Sequence, residues 1–346
     1  MYKVDDKSQK FLVTGGSGYL ASWIIKLLLD EGFSVNTTVR DPEETQKIAY
    51  LKALDKNNKL TFFKADLLDI GSFKDSMRNC SFVIHTASPF FITCKDPEKE
   101  LINPAKIGTR NVLQSVNETS SVKRVVLTSS VAAMFSDNVE IGNIAINENN
   151  WNKRSSADHN PYNYSKTLAE KEAWSIAEAQ NKWDLVVINP GIIFGPSLSR
   201  RRDSLSIKTM IEFGNGRYRL GVPNLFMGIV DVRDVAKAHI KACFNPEAKG
   251  RHVVVGVSAS FVEIAKVLKK KFKNRYPFPL VTTPKFIFWL VSPFFGITRK
   301  YVVKNVGYPF NFDNSYSIKD LNMSYRSFEE TIIDHFQQII DDGLLK

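Results

Sequence analysis

The chain is poor in cysteine and histidine and has no long hydrophobic run. Its 346 residues include three widely spaced cysteines (Cys80, Cys94 and Cys243), no CxxC motif and only five histidines. This pattern is typical of reduced cysteines in a reducing compartment, and it predicts no metal site. No apolar run reaches the roughly 20 residues of a membrane span, and the polar first ten residues are unlike a signal peptide. We therefore expect a cytoplasmic protein without a membrane span.

Two compositional features allow alternative interpretations. The longest apolar run, residues 286–295 (FIFWLVSPFF), is interpreted as a buried helix or a wall of the substrate pocket, in preference to an interfacial membrane contact. The net charge of +11 lies partly in residues 266–275, which we interpret as a solvated helix face. Attraction of an anionic substrate or an acidic surface is the alternative. Without a nucleic-acid-binding motif, we expect no nucleic-acid partner.

Strand-like and helix-like patterns alternate through the first 190 residues. The predicted strands are residues 11–14, 34–39, 60–63, 82–85, 124–128 and 185–188. The predicted helices are residues 20–30, 43–54, 72–78, 97–117 and 161–180. Strands that are apolar on both faces, with helices between them, indicate an α/β fold with a doubly wound, Rossmann-type parallel sheet. Proline and glycine become frequent after Pro190, so we predict a dinucleotide-binding domain over 1–190, rejoined by 228–257, and a smaller interleaved substrate domain over 191–346.

A glycine-rich turn follows the first predicted strand. Residues 14–21 read TGGSGYLA, and an amphipathic helix comes directly after the turn. Gly15 and Gly18 allow a sharp turn and the close approach of a pyrophosphate, and the backbone of Ser17, Tyr19 and Leu20 places N–H groups at a helix N-terminus. An ordinary tight turn before a helix is the alternative.

Arg40 and Asp41 follow the second predicted strand, where the adenine ribose lies in this architecture. An arginine there pairs with the 2′-phosphate of NADPH, whereas an acidic residue would accept from the 2′-hydroxyl of NAD. Arg40 comes first and favours NADPH/NADP+, although Asp41 could turn inward instead. Asp66 is predicted to accept from the adenine amino group or to cap a helix. The other predicted cofactor contacts at strand ends are Leu67, Thr86, Ala87, Ser88 and Thr128.

Tyr162 and Lys166 lie four residues apart after Asn160 and Pro161, which are typical of an N-cap and a first helical position. The two side chains then share one helix face, whereas Tyr164 points elsewhere. A nearby ammonium is expected to lower the pKa of the phenol toward the working range. Ser129 and Ser130 stand at the carboxyl end of the fifth strand, where a hydroxyl can bond a carbonyl oxygen.

The motifs together resemble the extended short-chain dehydrogenases/reductases, within them the dihydroflavonol 4-reductase and cinnamoyl-CoA reductase group. The resemblance to the wider family is carried by TGGSGYLA, Arg40, ADL at 65–67, TSS at 128–130, the Tyr162–Lys166 pair and VDVRDVA at 230–236. The resemblance to the narrower group is carried by TVRDP at 38–42, KADL at 64–67, CKDPE at 94–98 and SKTLAEKEAW at 165–174. The resemblance implies hydride transfer with a catalytic triad of Ser130, Tyr162 and Lys166. It also implies that the segment Pro190, Gly191, Ile192 and Ile193 lies beside the nicotinamide.

We therefore expect an NADPH-dependent reductase, monomeric or homodimeric, that acts on a ketone or aldehyde of a small, apolar or aromatic substrate. The alternatives are an NAD-dependent nucleotide-sugar epimerase or 3β-hydroxysteroid-type dehydrogenase, and a non-catalytic NADP-binding sensor. We expect the substrate pocket to be built from residues 90–93, 194–203, 221–227 and 286–295.

Overall fold

The computed structural model describes residues 6–89, 95–279 and 281–345. Its strands are β1 (Lys10–Thr14), β2 (Ser34–Val39), β3 (Leu60–Lys64), β4 (Phe82–His85), β5 (Arg124–Thr128), β6 (Asp184–Pro190), β7 (Ile192–Phe194), β8 (Val222–Pro223), β9 (Phe226–Asp231), β10 (Gly250–Val254), β11 (Val257–Ser260) and β12 (Thr282–Thr283). Its α-helices are α1 (Tyr19–Asp30), α2 (Thr45–Leu54), α3 (Asn103–Asn117), α4 (Pro161–Glu178), α5 (Leu205–Gly214), α6 (Val232–Phe244), α7 (Phe261–Phe272), α8 (Lys285–Val291), α9 (Arg299–Asn305), α10 (Ser315–Asp320) and α11 (Phe328–Asp341).

Seven parallel strands form the main sheet in the order β10-β6-β5-β4-β1-β2-β3. The register pairs Phe11 of β1 with Val35 of β2 on one side and with Phe82 of β4 on the other. The strand order reverses between β1 and β4, which creates a crevice at their carboxyl ends. The α/β class and the Rossmann-type sheet are therefore confirmed.

Helices cover both faces of this sheet. On one face α1 packs against α6, and the apolar stripe Leu20, Ile24 and Leu28 of α1 enters a core with Phe11 of β1. On the other face α3 packs against α4 over a second core. Burial on both faces explains why the strands read as continuous apolar runs.

The chain after β6 forms smaller sheets against a third core. β9 pairs in parallel with β7 and antiparallel with β11, while β8 pairs with β12. α5, α7 and α11 enclose this core, whose largest side chains include Phe194, Phe213 and Phe336. β10 lies at the edge of the main sheet beside β6, so the chain crosses between the two parts more than once.

Three predicted helices differ from the structure. Residues 72–78 form only a 3-10 turn at Asp75–Met77. Residues 97–117 begin with a π-helical turn, Glu98–Ile102, before α3. The interpretation of residues 286–295 as a buried helix is wrong, because α8 has no buried residue and Phe294 is 89% exposed.

Candidate active site

The glycine turn between β1 and α1 forms a cradle at the crevice. Gly15 has a φ of +70°, and its N–H donates to Thr38 Oγ1 at 3.1 Å. A Cβ on Gly15 would lie 3.1 Å from the Cβ of Ala87, and one on Gly16 would lie 2.1 Å from Thr37 Oγ1. Side chains at these positions would fill the turn, and Gly16 is a requirement that the sequence analysis did not single out.

The first turn of α1 is available to an anion. Gly18 is the N-cap and supplies no side-chain cap, so the first N–H groups of the helix have no capping oxygen. The Tyr19 hydroxyl donates to Gly195 O at 2.5 Å, and Leu20 is buried in the core. The side chains of Tyr19 and Leu20 are therefore occupied, and only their backbone N–H groups are available to bind a phosphate.

Arg201 is a neighbour of the turn that the sequence analysis missed. Its Nη1 donates to Ser17 O at 3.1 Å, and its Nε donates to Asp203 Oδ1 at 2.7 Å. Tyr50 also donates to Ser17 O, at 3.2 Å. Three consecutive arginines at 200–202 give no spacing signal that would distinguish Arg201 from its neighbours.

Arg40 lies exposed just beyond β2 and forms no ion pair with the described residues. The neighbouring Asp41 turns into its own loop, where Oδ1 accepts from the Glu43 N–H at 2.9 Å. The carboxylate is therefore occupied locally, while the guanidinium is available to a negatively charged group.

Asp66 and Leu67 follow β3. Asp66 is exposed and its Oδ1 accepts from the Leu68 N–H at 2.9 Å, which forms a turn; no helix begins there, so its role as a helix N-cap is wrong. The Leu67 carbonyl accepts from Asn111 Nδ2 at 2.8 Å, and its side chain packs against Gly108 of α3.

The ends of β1 and β4 are held together by Thr14. Its Oγ1 accepts from the N–H groups of Thr86 and Ala87, each at 3.1 Å, so its own proton points to His85 Nδ1 at 2.9 Å. Burial and the charge of Lys166 lower the pKa of His85 to about 3, so this histidine is neutral. The floor of the crevice is thereby fixed.

Tyr162 and Lys166 lie one turn apart at the start of α4, beside the crevice. Lys166 Nζ donates to Ser88 Oγ at 3.1 Å and lies 5.9 Å from the centroid of the Tyr162 ring. Burial lowers the pKa of Lys166 to about 8, against the opposing charge of Glu170. Sequence reasoning thus identified two side chains that the fold brings together with the end of β4.

The pKa of Tyr162 differs from the sequence-based expectation. Burial raises it to about 12, and a hydrogen bond with Ser130 offsets only part of that rise. The predicted lowering by Lys166 is therefore wrong for this structure, because desolvation by burial dominates the pKa of Tyr162. A phenol that stays protonated at neutral pH is the form that can donate a proton.

The two adjacent serines after β5 face different partners. Ser129 Oγ donates to Glu170 Oε2 at 2.5 Å, inside a buried network that also contains Arg251 and Asn189. Ser130 is the one that bonds Tyr162. The structure therefore places Ser130, and not Ser129, beside the phenol.

The hydroxyl of Thr128 is directed away from the crevice. His239 Nδ1 donates to Val235 O at 2.8 Å, so its Nε2 accepts from Thr128 Oγ1 at 2.7 Å. Burial lowers the pKa of His239 to about 4, consistent with a neutral ring. Only the backbone of Thr128 remains for a cofactor.

The start of α4 is held by a buried cluster around Asp137. Asn160 and Pro161 are the N-cap residue and the first helical residue of α4, as predicted, but Asn160 has a φ of 56° and makes no side-chain capping bond; its Nδ2 donates instead to Asp137 Oδ1 at 3.0 Å. His159, Lys304 and Asn305 also bond this carboxylate. Burial raises the pKa of Asp137, but these four hydrogen-bond partners bring it below its usual value. The partners are far apart in the chain, so no local motif reveals them.

Pro190, Gly191, Ile192 and Ile193 connect β6 to β7. The Gly191 N–H donates to Val254 O at 3.2 Å, and a Cβ on Gly191 would lie 2.5 Å from Gly228 O. A larger residue would therefore push β9 away. Ile192 and Ile193 are half-buried and pack toward different cores.

Aromatic rings pack around the residue that follows Ser130. Val131, directly after Ser130, belongs to a small core against which the half-buried rings of Phe135, Phe226 and Phe312 pack. Of these rings only Phe226 falls in a predicted pocket segment. Phe194, from another such segment, is fully buried in the third core, and residues 90–93 lie outside the described residues.

Comparison with known proteins gives consistent matches. Residues 12–262 match the 3-beta hydroxysteroid dehydrogenase/isomerase family. A cinnamoyl-CoA reductase of Medicago truncatula is 40% identical over 266 residues, covering 76% of this chain and 80% of the relative. An anthocyanidin reductase of Arabidopsis thaliana is 40% identical over 276 residues, covering 77% and 81%. The crystal structure of yeast methylglyoxal/isovaleraldehyde reductase Gre2 with NADPH superimposes with a TM-score of 0.81 at 28% identity, covering 97% and 99%.

Proposed function

Because the chain belongs to the 3-beta hydroxysteroid dehydrogenase/isomerase family of extended short-chain dehydrogenases/reductases, we propose a role for each residue of its crevice in NADPH-dependent carbonyl reduction. Tyr162 donates the proton to the carbonyl oxygen. Lys166 stabilises the phenolate left behind, and Ser130 bonds the same oxygen. The observation that carries this proposal is the hydrogen bond between Ser130 and Tyr162, with Lys166 one turn along the helix.

The cofactor is NADPH. The uncapped start of α1 would hold its pyrophosphate, and the exposed guanidinium of Arg40 would pair with the 2′-phosphate. Bound NADPH supplies the hydride that the carbonyl carbon accepts. Ser88 and Lys166, which already bond each other at 3.1 Å, would face the nicotinamide ribose.

The proton balance fits reduction. Tyr162 is protonated at neutral pH, because burial raises its pKa to about 12, so it can give a proton to the oxygen as negative charge develops there. Lys166 Nζ lies 5.9 Å from the centroid of the Tyr162 ring, and its charge would stabilise the phenolate. The product is an alcohol, and Tyr162 regains its proton from solvent.

The substrates are carbonyl compounds of aromatic or phenylpropanoid-like kind. Support from this chain comes from the half-buried rings of Phe135, Phe226 and Phe312, which pack beside Val131 and therefore close to Ser130. An aromatic substrate would bury its ring against such a surface.

We also propose a cytoplasmic location and a monomeric or homodimeric state. Cys80 and Cys243 are free and buried, as expected of a reducing compartment. Neither alternative function is favoured: the available Arg40 opposes an NAD-dependent epimerase or steroid dehydrogenase, and the intact Tyr162–Lys166 pair opposes a sensor.

Substitution of Tyr162 tests the proposal. Tyr162→Phe should lower kcat about 10²- to 10⁴-fold, the usual contribution of a general acid, in an assay of NADPH oxidation with cinnamoyl-type aldehydes and ketones. NADPH affinity, measured by fluorescence titration, should stay unchanged.

Tyr164→Phe, two residues along the same helix, is the matched control and should retain turnover. Full turnover of Tyr162→Phe would remove this residue from the mechanism. A preference for NADH over NADPH in the titration would instead contradict the role of Arg40.

A further inference from the structure

Almost all of the net charge of the protein lies in one segment. Residues 264–312 contain ten lysines and arginines and no aspartate or glutamate, whereas the rest of the chain has 37 basic and 36 acidic residues. A segment with a charge of one sign creates a strong local potential. No step of carbonyl reduction uses this charge.

The same segment, together with Leu220, also carries more than half of the exposed large apolar side chains. Of the fourteen large hydrophobic residues that are exposed in the described chain, eight lie between residues 220 and 303. They are Leu220, Val281, Phe286, Ile287, Leu290, Phe294, Phe295 and Val303. Phe286, Ile287 and Leu290 share one face of α8, and Phe294 follows one turn later.

These side chains belong to one surface. β12 leads into α8 and pairs with β8, which places Val281 near Leu220. α8 packs against α9, and Lys285 Nζ donates to Val303 O at 2.8 Å. Arg217 lies 5.4 Å from the ring centroid of Phe295. We call the eight apolar residues, with the basic residues around them, the α8 surface.

Basic side chains surround the aromatic rings of the α8 surface. Arg299 lies 4.4 Å from the ring centroid of Trp289, and Lys285 lies 4.3 Å from that of Tyr308. Aromatic side chains with adjacent lysines and arginines are typical of helices that lie in the interface of an anionic bilayer. None of the described helices has the combined length and apolarity needed to cross a membrane.

We propose that the α8 surface docks on a membrane that contains anionic phospholipid. The apolar rings enter the boundary between headgroups and acyl chains, and the surrounding cations bind lipid phosphates. A second copy of the chain is a poorer occupant, because a twofold contact through this face would bring two acid-free basic segments together.

Vesicle co-sedimentation of the full-length protein tests this proposal. The protein should bind vesicles of equal phosphatidylcholine and phosphatidylglycerol, should not bind pure phosphatidylcholine, and should be released by high salt. The double variant Phe286→Ser/Phe294→Ser should bind about tenfold or more weakly, because two exposed rings are lost. The matched control Ile70→Ser/Ile144→Ser removes exposed apolar residues elsewhere and should bind like the wild type.

A charge-reversal pair separates docking from general attraction of a basic protein. Arg219 and Lys300 are exposed and directly adjoin Leu220 and Arg299 of the α8 surface. Arg219→Glu/Lys300→Glu should weaken binding at least about 25-fold, given about fivefold for each cation near an anionic membrane. Lys56→Glu/Lys182→Glu changes the net charge equally, away from the α8 surface, and should have a much smaller effect. All variants should keep the circular-dichroism spectrum and the melting temperature of the wild type, which shows that they fold.

Three results would overturn the proposal. The first is equal loss of binding in both charge-reversal pairs, and the second is undiminished binding of Phe286→Ser/Phe294→Ser. The third is a concentration-dependent dimer, detected by light scattering, that the same phenylalanine substitutions dissociate. The last outcome would assign the α8 surface to a second copy of the chain.

Discussion

The phenylalanines of the main sheet and those of the α8 surface share one side chain but differ in their surroundings. Phe11 and Phe82 are fully buried, and their rings stack at 4.9 Å between centroids. Phe286 and Phe294 are 68% and 89% exposed. The sheet is covered by helices on both faces, whereas α8 contacts its neighbours along one side only. An apolar run in the sequence therefore predicts burial only where other helices or strands pack over it.

The largest effect should come from removing a buried phenylalanine ring of the main sheet, whereas removing an exposed ring of the α8 surface should have little effect on stability. Phe11→Ala should cost about 3–5 kcal/mol of unfolding free energy, because it leaves a cavity between Phe33, Phe82 and Phe244. Phe294→Ser should change stability by less than about 0.5 kcal/mol. Urea denaturation followed by circular dichroism measures both, and equal destabilisation would show that Phe294 is packed in solution.

Within the main sheet region, the adjacent serines Ser130 and Ser129 are expected to differ in function, as the two groups of phenylalanines differ in burial. Ser130→Ala should lower kcat/KM about 10²- to 10³-fold, the usual cost of losing one donor to a developing oxyanion. Ser129→Ala should leave turnover nearly unchanged and cost about 1–2 kcal/mol of stability, because Glu170 loses one hydrogen bond. If Ser129→Ala proves the less active enzyme, the assignment of the two serines is reversed.

A smaller effect is expected from pH. Because burial lowers the pKa of Lys166 to about 8, its ammonium is present at neutral pH and is lost as the pH rises through 8. kcat should then fall by about tenfold per pH unit above this value, if the cation is needed beside the phenolate. Lys166→Arg keeps its charge and should show a flat profile from pH 7 to 10, at a lower rate. A wild-type profile that is flat above pH 9 would contradict the role of Lys166.

Much of the fold was predictable, since the determining patterns are local. Five of the six predicted strands lie within one residue of β1 to β5, and the sixth lies inside β6. The glycine turn and the Tyr162–Lys166 pair are likewise set by short spacings. The prediction of a helix over residues 72–78 was wrong. Phe73 and Met77 are apolar at helical spacing, but the chain buries both with only a short turn.

Contacts between residues that are distant in the chain could not be predicted from such local patterns. Asp137 gathers His159, Lys304 and Asn305, and Arg201 reaches Ser17 across the glycine turn. These pairs are separated by 22 to 184 positions in the chain. Electrostatic state was equally hidden, because the pKa of Tyr162 depends on how much water surrounds it and not on which residues adjoin it in sequence.

The sequence by itself determined the parallel sheet, the glycine turn and the phenol–ammonium pair, because each depends on periodicity or on residues within one helical turn. Tertiary structure alone decided which of two adjacent serines meets the phenol, and whether an apolar run is core or surface. Both outcomes depend on which distant elements pack nearby. Burial is a property of the assembled layers, and no stretch of ten residues contains the information about what will cover it.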